Sequence, residues 1–351
     1  MKTVGIIGAS GYAGAELLRL CAGHPGIKVA WATGDRQAGA PIASLYPNLR
    51  AVVGDQRFET WEPAMADGLD AVFLCLPHGA SSELMPALQA RVPLVVDLAA
   101  DFRLKSPEAY PTWYGEAHPH PELLADFVYG LPELFRDQLP GATGVAAPGC
   151  YPTTAILALA PLLQAGLVEP TGIVVDAASG VSGAGRDKHP FCATDENFMA
   201  YGLLDHRHTP EIEQALTATV AAAGGTGPGG KDGVQVLFTP HLAPMNRGIL
   251  ATCYARPTGA TTTAELLDLF HHAYDAEPFV VVLDESPTTK ATQGSNVCQV
   301  TVRADPRTGW VVALGALDNL VKGAAGQALQ CANVALGLDE TTGLPLAGML
   351  P

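Results

Sequence analysis

The stretch AAPGCYPTTAILALAP, residues 146–161, places a cysteine where a helix should begin rather than inside an apolar run. Gly149 lets the backbone turn, Pro152 suits a first helical turn, and the apolar residues behind pack the helix. A thiolate is a strong nucleophile, and its pKa falls at a helix N-terminus or beside a cation. Cys150 is therefore read as a nucleophile, against the blander reading of a buried cysteine capping a core helix. The other six cysteines, Cys21, Cys75, Cys192, Cys253, Cys298 and Cys331, are read as buried and structural, since most stand in apolar runs. Seven cysteines with no CxxC pair argue against a disulfide framework or a zinc ribbon and for a reducing cytosol.

A second chemical element opens the chain. GIIGASGYAGAELL puts Gly8, Gly11 and Gly14 between a strand and a helix. A tight turn there wants positive φ, a pyrophosphate must approach bare backbone, and the helix start supplies amides and a positive dipole. The spacing is GxxGxxG rather than GxGxxG, so its weight comes from context: strand before, helix after. Gly8, Ser10, Gly11, Tyr12 and Gly14 are the expected dinucleotide contacts. Further on, ATGDRQAG offers both Asp35, of the type that takes the ribose hydroxyls of NAD, and Arg36, of the type that takes the 2′-phosphate of NADP. The residues alone leave that choice open. A nicotinamide fold joined to a turn cysteine points to a thioester route, in which the enzyme attacks an activated acyl group and hydride then yields an aldehyde.

These residues need two different scaffolds. TVGIIG, IKVAWATG, DAVFLCLP and VPLVVDLA read as buried strands, and YAGAELLRLCAGHPG reads as a helix closing on glycine. The alternation predicts a Rossmann-like parallel sheet over residues 1–149. After Cys150, six strand-like segments from TGIVVDAASG to GWVVALGALDN are joined by turn residues, which predicts an α+β domain over 150–319 with a mixed, mostly antiparallel sheet. Residues 320–337 return to a helical pattern, and the glycine-rich 221–233 reads as an exposed loop. A chain of 351 residues is long for a single core, and 48% hydrophobic with 16% charged residues marks a globular protein. Net charge −15 argues against a general nucleic-acid partner. The opening MKTVGIIGAS runs into a strand rather than a signal-peptide core, and no apolar run reaches the ~18–20 residues of a membrane span, so a cytoplasmic protein without a membrane partner is expected.

Together GASGYAGAELLRL, LCLPHGAS, VVDLAADFRL, YGLPELFR, APGCYPTTAILALAP, SGVSGAGR, HRHTPEIEQ and DNLVKGAAGQALQ resemble the N-acetyl-γ-glutamyl-phosphate reductases of arginine biosynthesis, from the first strand to the last helix. The resemblance implies the semialdehyde-dehydrogenase fold, with a C-terminal helical segment (320–351) that returns to the NADP-binding domain, and a homodimer or homotetramer built through the second-domain sheet. It implies NADP ahead of NAD, and Cys150 as the nucleophile on an acyl phosphate. Ala99 replaces the family's usual serine, Thr154 replaces a smaller residue, and Asp35 stands where an arginine is frequent, with Arg36 beside it.

That chemistry needs a proton shuttle, and imidazole, with an ordinary pKa near 6.5, is the natural group. His206 and His208 flank Arg207. On an extended segment the two rings would share one side, and TPEIEQAL reads as a helix with Thr209 as N-cap. His208 is taken as the acid/base, with His206 the close alternative. His78 is expected to line the nicotinamide site or to shape a loop. A small anionic substrate needs local cations in an acidic chain, and the candidates are Arg103, Arg186, Lys188 and Arg207. Ser182 and Gly183 in SGVSGAG offer an anion nest, and Asn296, Asn319 and Gly323 are candidates to reach the nicotinamide or its phosphates, close packing being the equal alternative for Gly323. Two competing functions stand beside the main one: reduction of a related acyl phosphate, of aminoadipate or aspartyl type, and a non-catalytic dinucleotide sensor.

Overall fold

The computed structural model describes residues 1–186, 190–224 and 233–350. The chain divides into two compact units: Met1–Pro111 with Glu116–Pro148 and Ala324–Leu344, and Gly149–Gly323 with Thr112–Gly115 and Pro345–Pro351.

In the first unit, β1 (Lys2–Ile7), β2 (Ile27–Ala32), β3 (Ala71–Leu74), β4 (Leu94–Asp97), β5 (Phe127–Tyr129) and β6 (Gly144–Ala146) form one sheet in the order β2-β1-β3-β4-β6-β5. Every pairing in it is parallel. The four residues of β3 and the four of β4 are all buried, as expected of a sheet covered on both faces. The helices α1 (Tyr12–Ala22) and α2 (Ala80–Gln89) follow β1 and β3.

In the second unit, β7 (Ile173–Gly180), β8 (Met199–Ala200), β9 (Val236–Ala243), β10 (Ile249–Ala255), β11 (Val280–Val282), β12 (Cys298–Asp305) and β13 (Trp310–Leu317) form a mixed sheet in the order β11-β12-β13-β10-β7-β9-β8. Four of its six pairings are antiparallel and two are parallel. The unit's three long helices are α3 (Cys150–Gln164), α4 (His208–Ala222) and α5 (Thr263–Tyr274). Burial alternates along β10 and along β7 up to Ser179, so that one face is sealed while Val174, Asp176, Ala178, Leu250, Thr252 and Tyr254 stand half-exposed on the other. α3 packs across β10, β12 and β13, and thirteen of its fifteen residues are buried. A helix apolar all round can only sit inside a core.

The last long helix, α6 (Gly326–Ala335), belongs to the first unit, where it lies against β4 and α1. The region read as helical from residue 320 starts as a π-helical turn, Val321–Ala325. The glycine-rich loop read from residue 221 begins later than expected, because α4 runs to Ala222, and residues 225–232 lie outside the described residues. Among the described residues no helix is long and apolar enough to cross a membrane.

Candidate active site

Cys150 is the first residue of α3 and is half-buried. Gly149 precedes it in extended backbone (φ −67°, ψ 155°) and contributes no side-chain cap. The Thr153 and Thr154 hydroxyls donate back to the carbonyls of Gly149 (3.0 Å) and Cys150 (2.8 Å), tying the first turn together. Behind the cysteine stands Gly323, where a Cβ would fall 2.6 Å from Cys150 Cβ. Close packing is thus what this glycine provides. Asp318, fully buried, holds the segment by accepting from the amides of Gly294 (2.7 Å), Leu320 (2.8 Å) and Val321 (3.2 Å) and from Arg247 (3.3 Å).

The histidine pair comes together, though not on an extended segment. Arg207 is in the helical region (φ −58°, ψ −17°), and α4 starts at His208, so Thr209 is inside the helix and is not its N-cap. The turn brings the two rings to 4.7 Å between centroids, and the His208 amide donates to His206 Nδ1 at 3.2 Å. Burial, reinforced by the Arg207 charge, pushes His206 down to about 4. With Nδ1 accepting, neutral His206 carries its proton on Nε2. The Tyr151 ring lies 6.0 Å from His206 and 5.9 Å from His208. Its hydroxyl donates to the His241 carbonyl (2.9 Å) and accepts from Tyr201 (3.2 Å), whose own phenol is pushed up to about 12 by burial.

One further link joins the two helices. Glu211, fully buried one turn after His208, accepts the Gly149 amide at 2.7 Å. Sequence reasoning missed Glu211 and Tyr201. A signal for Glu211 existed, because a carboxylate three residues after His208 shares its helix face. Arg207 is exposed, with its guanidinium 5.6 Å over the Tyr114 ring, and Arg186 is half-buried in the turn after β7. Lys188 and His189 lie outside the described residues. The Asn319 side chain accepts from the Gly248 amide (2.7 Å) and donates to Ser182 (3.0 Å), while the buried Asn296 donates its backbone N–H to the Pro345 carbonyl (2.8 Å). Gly183 follows Ser182 in the same short turn, Val181–Ala184.

The first unit holds the glycine turn. Gly8 has φ +83°, and a Cβ there would meet the Cys75 carbonyl at 2.4 Å; one on Gly14 would meet the Gly8 carbonyl at 2.6 Å. Internal packing therefore demands both. Gly11, the N-cap of α1, is different: the nearest atom to a Cβ there is 3.6 Å away. The space over this helix start suits a phosphate on backbone amides, so the turn fits a dinucleotide. Ser10 donates to the Gly34 carbonyl (3.2 Å), and Tyr46 donates to the Ser10 carbonyl (2.7 Å); Tyr12 begins α1. Asp35 (φ +43°) and Arg36 are both exposed just after β2.

A second cluster sits in the loops after β3 and β4. His78 pairs with Asp101, which also accepts the amides of Gly79 (2.8 Å) and Ser82 (3.0 Å) and so caps α2 from outside. Burial pushes Asp101 up, but these donors outweigh it and hold the carboxyl below its usual range. Asp97 is pushed up to about 7, by burial first and by Asp101 second, despite hydrogen bonds from Ser81 and the Ala99 amide, both 2.9 Å. Arg103 is buried among them and donates to the Leu98 carbonyl at 2.8 Å.

Comparison with known proteins agrees with both halves. A model of the semialdehyde dehydrogenase NAD-binding domain matches residues 3–142, and a model of the semialdehyde dehydrogenase dimerisation domain matches 150–319. Proteins described as N-acetyl-gamma-glutamyl-phosphate reductase from Symbiobacterium thermophilum and Citrifermentans bemidjiense are 49% and 45% identical, over 98% and 100% of both chains. The chain belongs to the N-acetyl-γ-glutamyl-phosphate reductase family. Its fold is shared with aspartate semialdehyde dehydrogenase II from Vibrio cholerae (TM-score 0.71, 16% identity, 95% of this chain and 98% of that one). An aspartate semialdehyde dehydrogenase from Candida albicans, solved with NADP, is also similar (TM-score 0.61, 14% identity, 95% and 98%).

As a member of this reductase family the chain is an oxidoreductase with an NAD(P)-binding domain, and the sensor reading falls away. Cys150, His206, His208, Arg186, Arg207, Ser182, Gly183, Asn296 and Asn319 all lie in its second unit, whereas Gly8, Ser10, Gly11, Tyr12, Gly14, Arg36, His78 and Arg103 lie in the first. Among the cysteines read as buried, Cys192 is exposed, because it sits on a short surface helix, Phe191–Thr194, and Cys75 is half-buried. Burial pushes the Cys21 thiol up to about 12 and raises those of Cys75 and Cys253 as well, which disfavours their thiolates. Among the described residues no group of three or more His, Cys, Asp or Glu is placed to hold a metal.

Proposed function

We propose that this chain reduces N-acetyl-γ-glutamyl phosphate to N-acetylglutamate 5-semialdehyde and phosphate, with NADPH as the hydride donor, in arginine biosynthesis. The observation that carries the reading is a half-buried Cys150 opening a core helix whose next residue, Tyr151, packs on a His206–His208 pair. The thiolate attacks the acyl carbon, the carbon–oxygen bond to phosphate breaks, and a thioester remains on Cys150. His208 takes the thiol proton, returns one to the carbonyl oxygen as it gains charge, and removes it when the thiolate leaves and the aldehyde forms. NADPH, when bound, supplies the hydride for that reduction. His206, neutral and held by the His208 amide, orients the turn.

Gly8, Ser10, Gly11, Tyr12 and Gly14 hold the pyrophosphate, Arg36 takes the 2′-phosphate in preference to NAD, and His78 shapes the loop after β3. Ser182, Gly183, Asn296 and Asn319 serve the nicotinamide side. Arg186, Arg207 and Arg103 concentrate positive charge for the substrate's phosphate and carboxylate in a chain of net charge −15. A second copy of the chain covers the half-exposed face of the mixed sheet, giving a homodimer or a tetramer built from it, in the cytoplasm.

The reverse reaction tests this directly. N-acetylglutamate semialdehyde with phosphate should reduce NADP, followed by absorbance, and omission of phosphate should stop it. Discrimination against a substrate one methylene longer or shorter rests on about 1–3 kcal/mol of pocket contact, so the aminoadipate-type and aspartate semialdehydes belong in the same assay. Turnover of either of those with none of N-acetylglutamate semialdehyde would overturn the substrate assignment.

A further inference from the structure

The glycine turn of the first unit is held by more than its own bonds. Within it the Gly11 amide donates to the Gly8 carbonyl at 3.2 Å, which closes the turn. The carbonyl of the same peptide unit, that of Ser10, accepts the Tyr46 hydroxyl at 2.7 Å. The Ser10–Gly11 peptide is therefore fixed at both ends, and Gly11 is the N-cap of α1. The first amides of a helix have no partner within it, so the orientation of this peptide governs how they are presented to a ligand.

Tyr46 reaches the turn from a separate piece of chain, 36 residues away along the sequence. It joins two short helical turns, Ile42–Leu45 and Pro47–Leu49. Pro47 disfavours helical backbone at the residue before it, and Tyr46 sits at φ −126°, ψ 78°. The Tyr46 amide donates to the Ile42 carbonyl at 2.9 Å, and Ile42 and Leu49 are both buried. This segment is pinned to the end of β2 without help from the turn. The Ile42 amide donates to the Gln56 carbonyl (2.9 Å), and the Glu59 amide donates to the Ala32 carbonyl (2.9 Å). All of these residues belong to the first unit.

We infer that Tyr46 is a positioning residue for the dinucleotide, its hydroxyl holding the Ser10–Gly11 peptide so that the start of α1 is set for a pyrophosphate before the cofactor arrives. The inference deepens the proposed use of a nicotinamide dinucleotide and rests on it. Tyr46 acts through the backbone of the turn, so it serves the pyrophosphate that NADP and NAD share. The 2′-phosphate, given to Arg36, lies outside its reach.

Tyr46→Phe removes the hydroxyl and keeps the ring, and its melting temperature without cofactor should stay near wild type. Binding is read by titration calorimetry with three probes: NADP, NAD and adenosine 2′-phosphate, which carries the 2′-phosphate and no pyrophosphate. Losing one neutral hydrogen bond from the turn should raise the Kd for NADP and for NAD by about 3- to 10-fold each, with adenosine 2′-phosphate unchanged. Arg36→Ala should give the complementary pattern, weakening NADP and adenosine 2′-phosphate and sparing NAD. In cofactor-free protein, hydrogen exchange at the Gly11 amide should quicken by about 3- to 10-fold in Tyr46→Phe. A Tyr46→Phe variant that binds both dinucleotides within about 1.5-fold of wild type, or that loses adenosine 2′-phosphate as much as NADP, would overturn the inference, as would a Gly11 amide exchanging at the wild-type rate. A wild type that binds neither dinucleotide would instead sink the cofactor reading, and the exchange measurement would still decide whether Tyr46 holds the turn.

Discussion

Cys150→Ser should reduce kcat by about 10⁴-fold or more in both directions while leaving NADP binding and thermal stability near wild type. The size follows from what is lost. A serine hydroxyl in the same place is overwhelmingly protonated at neutral pH and forms an ester, a poorer acceptor of hydride than a thioester. Cys21, Cys75 and Cys253 cannot compensate, because burial raises their thiols. Stability should hold because the Cys150 side chain is only half-buried, and the first turn of α3 is secured by the Thr153 and Thr154 hydroxyls and by Glu211. The change is isosteric, so Gly323 still accepts the Cβ beside it. Binding of NADP, followed by quenching of protein fluorescence, gives the control for a folded and loaded variant.

His208→Asn should lower kcat by about 10²- to 10⁴-fold, the range for loss of a general acid–base group. His206→Asn should cost less, through the turn rather than through proton transfer. The pH dependence distinguishes the two imidazoles. His206 is pushed down to about 4, so above that value it is neutral, and between pH 5 and 8 it neither gains nor loses a proton. A limb in the kcat profile within that window belongs to another group. Wild type and His206→Asn should share the limb, and His208→Asn should lose it. A limb that vanishes with His206→Asn and persists in His208→Asn would exchange the two roles.

Much of this was legible before any coordinates. Strands β1 to β4, the helix after the glycine turn and the five long strands of the second unit carry apolar patterns of sufficient length, and the three-residue β11 was read because it lies in the apolar run PFVVVL. The strands that escaped notice are β5 and β6, three residues each, and β8, two residues. Pairing with neighbours, rather than local pattern, defines strands that short. Cys150 was readable because glycine, proline and a trailing apolar run mark a helix start. The His206–His208 contact was reached by the wrong route. An extended segment was expected, whereas a helical Arg207 closes the turn, since the His208 amide finds an acceptor on His206 Nδ1. Glu211 was not seen because its partner, the Gly149 amide, lies 62 residues away in sequence and carries no side-chain signature. Gly323 shows the same limit: small residues near a helix start can serve phosphate or packing, and only the 2.6 Å approach to Cys150 decides.

Every role assigned above depends on a covalent acyl group forming on one sulfur. Protein mixed with freshly prepared N-acetyl-γ-glutamyl phosphate, without reduced cofactor, should gain the mass of a single N-acetylglutamyl group. Peptide mapping should place that group on Cys150, and hydroxylamine or added NADPH should remove it. Unmodified Cys150 in protein that turns over the same acyl phosphate once NADPH is present would contradict the account.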